Sequence, residues 1–271
     1  MSLLATISAW SEFAFGFLLF AAQLTAHEVG FWFGRRAAAR AEGPPSEGVG
    51  VVVGGMLGLL AFVLALTLSF ATERFGERHA GTLAEANAIG TAWLRAKAIG
   101  QPRGDEIARL LERYTVLRKA FVEASHDPVH LAEVTDSTNA LQSAIWGHLS
   151  AIVREQPNPI SSSLMAALND TFDASTAERF AFELRLPPQI FWLLIGLSLL
   201  GMAALGYQLG LRHTRLPLLA VILTLMWTLV IIDILDLATA RIGNIRTSTA
   251  AYEWTLTGFQ GSVTIPAAPS P

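Results

Sequence analysis

Residues 48–100 read GVGVVVGGMLGLLAFVLALTLSFATERFGERHAGTLAEANAIGTAWLRAKAIG. The first 25, Gly48 to Thr72, carry no charge, and Glu73 is the first ionisable residue. No proline occurs before Pro102, so the helical pattern continues where the apolar run stops. About 20 apolar residues cross the hydrocarbon core of a bilayer. A helix of this whole length would reach about 75 Å, against a core of about 30 Å. The spacing therefore predicts one helix that crosses a membrane and projects from it, with the other segments packed around it.

The composition agrees. Of 271 residues, 52% are hydrophobic and only 15% charged, and the apolar residues fall in blocks rather than being spread through the chain. A net charge of −3 gives no electrostatic basis for a nucleic-acid partner. The absence of cysteine removes disulfides, thiolate nucleophiles and thiolate metal sites. The first eleven residues hold no Lys or Arg, so the first apolar segment reads as a retained membrane helix rather than a cleaved signal.

Three further spans follow from the same reasoning. The first covers about residues 9–33 and ends in HEVGFWFGRR, with Trp32 at interface depth and Arg35, Arg36 and Arg40 beyond it. A Gly- and Pro-rich loop from Gly43 leads to the second, at 48–72. The third, 186–211, is entered through Pro187 and Pro188, and a basic turn from Arg212 to Pro217 leads to the fourth, about 216–238.

Between spans two and three lies a polar, nearly charge-balanced region, 73–185, which reads as helices. Leu83, Ala86, Gly90 and Trp93 continue the long helix with one apolar stripe. A second helix carries Ile107, Leu110, Leu111, Tyr114, Leu117 and Phe121. A third begins at Asp127 as N-cap and Pro128, with Val134, Thr138, Leu141, Ile145, His148 and Ile152 on one face. A fourth follows Pro157-Asn158-Pro159, capped by the serines at 161–163, and carries Leu164, Leu168 and Phe172. Residues 241–271 read as a polar, partly disordered tail. Arginines in the two short loops place those loops in the cytoplasm and the helical region outside. Arg74, Arg78, Arg185, Arg241 and Arg246 crowd the opposite face and argue against this.

No Walker loop, nucleophile elbow or dinucleotide turn is present, so nothing points to an enzyme or a cofactor. His126 and His130 are four apart without an evident third ligand, and no metal site is expected. Gly50, Gly54 and Gly58 let helices approach closely in lipid, either within the chain or between copies. Phe62, Leu66 and Phe70 lie four apart, either as lipid-facing or core apolar residues or as rings around an oligomeric axis that gate by dewetting. Glu28, beside His27, is within reach of Arg35 and Arg36. Asp233 and Asp236 could form an acidic ring, or cap and pair with Arg241.

The stretch LGLLAFVLALTLSFATERFGERHAGTLAEANAIGTAWLRA resembles the bacterial bestrophin-like membrane family. Its most specific piece is Glu85-Ala-Asn-Ala-Ile-Gly-Thr91, with Glu85, Asn87, Gly90 and Thr91 as the motif residues. HEVGFWFGRR, the region from Leu164 to Gly210 and DILDLATARIGNIR extend the resemblance over most of the chain. It implies a multi-pass protein of the bacterial inner membrane and, by similarity to bestrophins proper, a homopentameric ion channel lined by the second helix. Gly58, Phe62, Leu66 and Phe70 would then form the pore and neck, with the lipid bilayer, further copies of the chain and inorganic ions as partners. The same similarity puts the helical region in the cytoplasm. The doubled tryptophan and the acidic calcium clasp of bestrophins are absent.

The expected fold is an all-α integral membrane protein with four transmembrane helices and a helical extramembrane domain inserted between spans two and three. Segments 1–72 and 186–240 form the two transmembrane pairs, with 73–185 between them. The function expected is a bestrophin-like ion channel. The alternative is a poreless membrane-anchored interaction or sensor protein whose helical domain binds a partner.

Overall fold

In the computed structural model, residues 12–40, 48–100, 102–124, 128–184, 186–241, 245–261 and 263 are described. They form α1 (Glu12–Arg40), α2 (Gly48–Ile99), α3 (Pro102–Glu123), α4 (Pro128–Glu155), α5 (Pro159–Glu183), α6 (Pro188–Leu211), α7 (Pro217–Ala238) and α8 (Ala250–Gln260), and no strand. The Gly43 loop and the Asp127 cap lie outside the described residues. The helix expected from the decisive stretch is α2, 52 residues without a break. It ends where Gly100 adopts a left-handed conformation (φ 62°), which only glycine enters without strain.

Two compact units divide the chain: Met1–Arg74 with Arg185–Ile245, and Phe75–Leu184 with Arg246–Pro271. Helices long and apolar enough to cross a membrane are α1, α2, the stretch Pro159–Leu211 that holds α6, and α7. In the first unit these four helices share one apolar core. Phe15 and Leu19 come from α1, Leu60, Leu64 and Ala71 from α2, Leu194 from α6, and Ile231, Ile234 and Ala238 from α7.

The tightest packing in this unit is between α1 and α6, which run parallel. Their glycines Gly30 and Gly34, and Gly206 and Gly210, are each spaced i, i+4 and meet backbone directly. A Cβ on Gly30 would overlap the Ala203 carbonyl, and one on Gly206 the His27 carbonyl. Gln23 donates to the Ser198 hydroxyl in the same register (3.4 Å). By contrast, a Cβ on Gly54 or Gly58 would meet nothing within 4 Å, and one on Gly50 would meet only side chains, Gln208 at 3.0 Å and Arg212 at 3.9 Å. The glycines at which helix backbones meet within this chain are thus those of α1 and α6, not the run on α2.

In the second unit, α5 is capped by Asn158, not by a serine. Its Oδ1 accepts from the backbone N–H of Ile160 and Ser161, while Ser161 Oγ accepts from the Asn158 N–H. The α5 stripe continues from Leu168 through Thr171, Ser175 and Glu178 rather than through Phe172. On α4, Leu149 rather than His148 occupies the buried position. On α2, Leu83 is exposed, and Thr82 and Glu85 face inward. Within the segment read as a polar, partly disordered tail, Ala250–Gln260 is a helix. This segment folds as α8 because Tyr252 is fully buried and Phe259 stacks on Trp93, with ring centroids 4.9 Å apart.

Candidate functional site

Along the apolar half of α2, the pattern of exposure separates two faces. Leu60 and Leu64 are 0% and 2% exposed and belong to the four-helix core. Phe62, Leu66 and Phe70 are 60%, 45% and 57% exposed, and Gly54 and Gly58 are open on the same helix. Residues four apart drift only about 40° around a helix, so Phe62, Leu66 and Phe70 make one ridge. The three side chains of the ridge are apolar, with the exposed Ser69 beside Phe70; Thr67 is buried, and its hydroxyl donates to the Val63 carbonyl (2.7 Å).

The ionisable groups of the first unit are less concentrated. Glu28 approaches Arg215 at 3.7 Å and His27 at 3.6 Å, so its cation comes from the α6–α7 turn rather than from Arg35 or Arg36. Arg36 instead lies over the Trp32 ring at 3.6 Å. Asp236 is buried, and its carboxylate accepts the Ile245 N–H (3.1 and 3.2 Å), fixing the chain after α7. Asp233 is exposed, so the two aspartates do not share a face, and half-buried Arg241 lies past the end of α7.

The second unit holds a buried ionic cluster. Arg118 of α3 forks onto Glu85 of α2, with Nε donating to Oε1 (2.6 Å) and Nη2 to Oε2 (3.1 Å). Nη2 also donates to Glu178 Oε2 of α5 (2.8 Å). The Tyr252 hydroxyl of α8 stands 2.8 Å from both Glu85 Oε2 and Glu178 Oε2. Tyr114, held by Gln142, completes the far side at 3.5 Å from Glu85 Oε1. Both carboxyls are wholly inaccessible.

Two carboxylates and one guanidinium would leave a buried negative charge, which is costly. Burial pushes the Glu178 carboxyl up to about 8, and the neighbouring Glu85 adds to the shift. The Thr82 hydroxyl lies 2.6 Å from Glu178 Oε1 and 3.0 Å from the Arg78 carbonyl, and it has one hydrogen. That single hydrogen cannot serve both acceptors at once, and the Glu178 proton is held toward the neighbouring Glu85, whose hydrogen bond raises the Glu178 pKa. Burial also raises the Tyr252 and Tyr114 phenols, so both stay neutral. Burial alone would lower the Arg118 pKa, but the Glu85 carboxylate more than offsets it and the guanidinium keeps its charge. The neutral cluster ties α2, α3, α5 and α8 together.

A proton held on Glu178 has a consequence for stability. In the unfolded chain a glutamate titrates near 4.5, while the folded group titrates near 8. Between these values the folded state holds a proton that the unfolded state lacks. Its contribution is therefore full below about pH 4.5 and is lost as pH rises through about 8. We expect α3–α5 to lose protection from hydrogen exchange, corrected for intrinsic rates, as pH rises from about 5 to about 8. Glu178→Gln should flatten that dependence, and an equally steep profile in the variant would refute the assignment.

Of the motif residues, Glu85 is at the centre of this cluster, Asn87 and Thr91 are exposed, and a Cβ on Gly90 would lie 3.9 Å from Thr255 of α8. Arg118, Glu178 and Tyr252 went unnoticed in the sequence. The available signal was a charge inside an apolar stripe: Arg118 lies four residues after Tyr114, and Glu178 falls between Thr171 and Phe182 at helical spacing.

The profile of the Bestrophin-like domain family matches residues 20–252. Among solved structures, a bacterial bestrophin homologue from Klebsiella pneumoniae matches with a TM-score of 0.67 at 13% identity, covering 92% of this chain and 98% of that one. At that identity the likeness is one of fold. No curated protein matches this chain.

Proposed function

The chain belongs to the Bestrophin-like family, and we propose that it is one subunit of a homopentameric ion channel of the bacterial inner membrane whose pore is lined by α2. The observation that carries this reading is the unpartnered face of α2. Only 17% of the residues in its apolar window are buried in the protomer, against 28% and 33% in the other spans. Phe62, Leu66 and Phe70 lie on that face as stacked side chains without polar groups, and around an axis they would form rings. Narrow apolar rings exclude water and so obstruct ions without any charge. Gly54 and Gly58 supply open backbone against which a neighbouring helix can close. The other proposed parts of the assembly are the bilayer, the permeant inorganic ions and the second unit as an extramembrane domain between spans two and three.

Flux through purified protein in liposomes tests the reading. Phe62→Ala and Leu66→Ala should widen and wet the rings and raise K⁺, Na⁺ or Cl⁻ flux severalfold. Leu60→Ala and Leu64→Ala open cavities in the protomer core instead, so they should cost stability, about 2–5 kcal/mol each, and leave flux per assembled channel unchanged. If both faces behave alike, or no variant exceeds empty liposomes, the channel reading fails and a poreless interaction or sensor protein takes its place.

A further inference from the structure

We infer that the groove between α1 and α6 is a binding site for one acidic glycerophospholipid. Two hollows in this unit adjoin, sharing Thr25 and Val29. One, of about 490 Å³, is floored by Ala22, Ala26, Leu199, Leu200 and Ala203. Its single polar side chain, Thr25, already donates its hydroxyl to the Ala21 carbonyl (2.7 Å). The other, of about 620 Å³, is lined at its far end by Arg35, Arg215, Glu28 and Trp32. An apolar trough thus opens onto a basic, aromatic mouth. Ala22 to Arg35 spans about 20 Å of helix, which matches one leaflet, about 15 Å of hydrocarbon plus its headgroup layer.

Charge selects the headgroup. Arg215 lies 3.7 Å from Glu28, and its guanidinium is held 4.5 Å over the Phe31 ring, so it is steered to the mouth rather than away from it. Arg35 has no carboxylate partner among the described residues and lines the same hollow. Two guanidiniums against one carboxylate leave a net positive charge at headgroup depth, suited to a phosphate carrying a full negative charge with no cation beside it. A zwitterionic headgroup would bring a second cation to the two arginines. A second copy of this chain in the same orientation would bring its own arginines to this depth, like charge against like. The inference stands on the protomer alone and holds with or without a pore.

Native mass spectrometry of the detergent-purified full chain, titrated with phosphatidylglycerol or with phosphatidylcholine of the same acyl chains, tests it. Taking about fivefold per arginine near the membrane surface, phosphatidylglycerol should reach half-occupancy at about 25-fold lower concentration than phosphatidylcholine. The double variant Arg35→Ala/Arg215→Ala should remove that preference. Arg40→Ala/Arg212→Ala, which takes the same charge from the same end outside the groove, should keep it. Ala22→Phe, filling the trough, should weaken both lipids, and glycerol phosphate should not displace phosphatidylglycerol. Equal binding of the two lipids, equal loss in both arginine pairs, an unaffected Ala22→Phe, or displacement by glycerol phosphate would each overturn the site.

Discussion

Arg118→Met is expected to destabilise the helical unit by about 3–5 kcal/mol, the cost of removing one partner from a buried ion pair. The side chain is fully enclosed and contacts Glu85, Glu178 and the Ser175 carbonyl, with its guanidinium 4.6 Å from the Phe121 ring centroid. Methionine fills a similar volume but leaves the Glu85 carboxylate without its cation. Glu85 then keeps the Tyr252 and Tyr114 hydroxyls and its contact with Glu178, but no cation. A domain's whole stability is about 5–15 kcal/mol, so the loss should appear as protease sensitivity across α3–α5 and release of α8. The double change Arg118→Met/Glu85→Gln should recover much of the loss by removing the stranded charge. If the single variant resists protease like the parent, the cluster does not hold the unit together.

The second large effect separates two kinds of glycine. Gly206→Leu should disrupt the membrane unit itself, because even its Cβ would collide with the backbone of α1 at His27 and Phe31, and backbone cannot swing aside as a side chain can. Overpacking in a well-packed core typically costs about 1–3 kcal/mol; a side chain forced against a neighbouring helix backbone should exceed that. Gly54→Leu should leave the single chain folded, since nothing lies within 4 Å of the added carbon, but should weaken the proposed oligomer by holding α2 away from a neighbouring copy. Native mass and thermal unfolding in detergent separate the two. The outcome that would contradict this is an intact oligomer with Gly54→Leu, or a normally folded protomer with Gly206→Leu.

Much of the architecture was legible because hydrophobic periodicity is a local signal. Uncharged runs, the prolines at 102, 128, 159, 188 and 217 and the basic turn at Arg212 each mark a boundary without tertiary information. What escaped the sequence depends on partners far along the chain. Gly30 and Gly206 are ordinary glycines in apolar runs until α1 and α6 are laid side by side. The Gly50, Gly54 and Gly58 run was more conspicuous, yet it packs little within the protomer. The cluster around Arg118 joins residues up to 167 positions apart, Glu85 to Tyr252, so no spacing rule could assemble it. Tyr252 also explains the missed α8: an 11-residue helix is marginal alone and forms here because its tyrosine is buried and its half-buried Phe259 stacks on Trp93 of α2. Phe62, Leu66 and Phe70 were readable as a ridge from spacing, while the burial of Leu60 and Leu64 behind them needed the fold.

The proposal that α2 lines an axis is tested most directly by cross-linking, since the chain has no cysteine of its own. Single cysteines at Leu66 and at Leu64 are placed in otherwise unchanged protein and treated in membranes with a short bis-thiol reagent. The account predicts covalent dimers and higher multimers from Leu66→Cys, whose side chain faces the same side chain of neighbouring subunits. It predicts monomer alone from Leu64→Cys, which is enclosed in its own protomer. Multimers from Leu64→Cys, or none from Leu66→Cys, would contradict it.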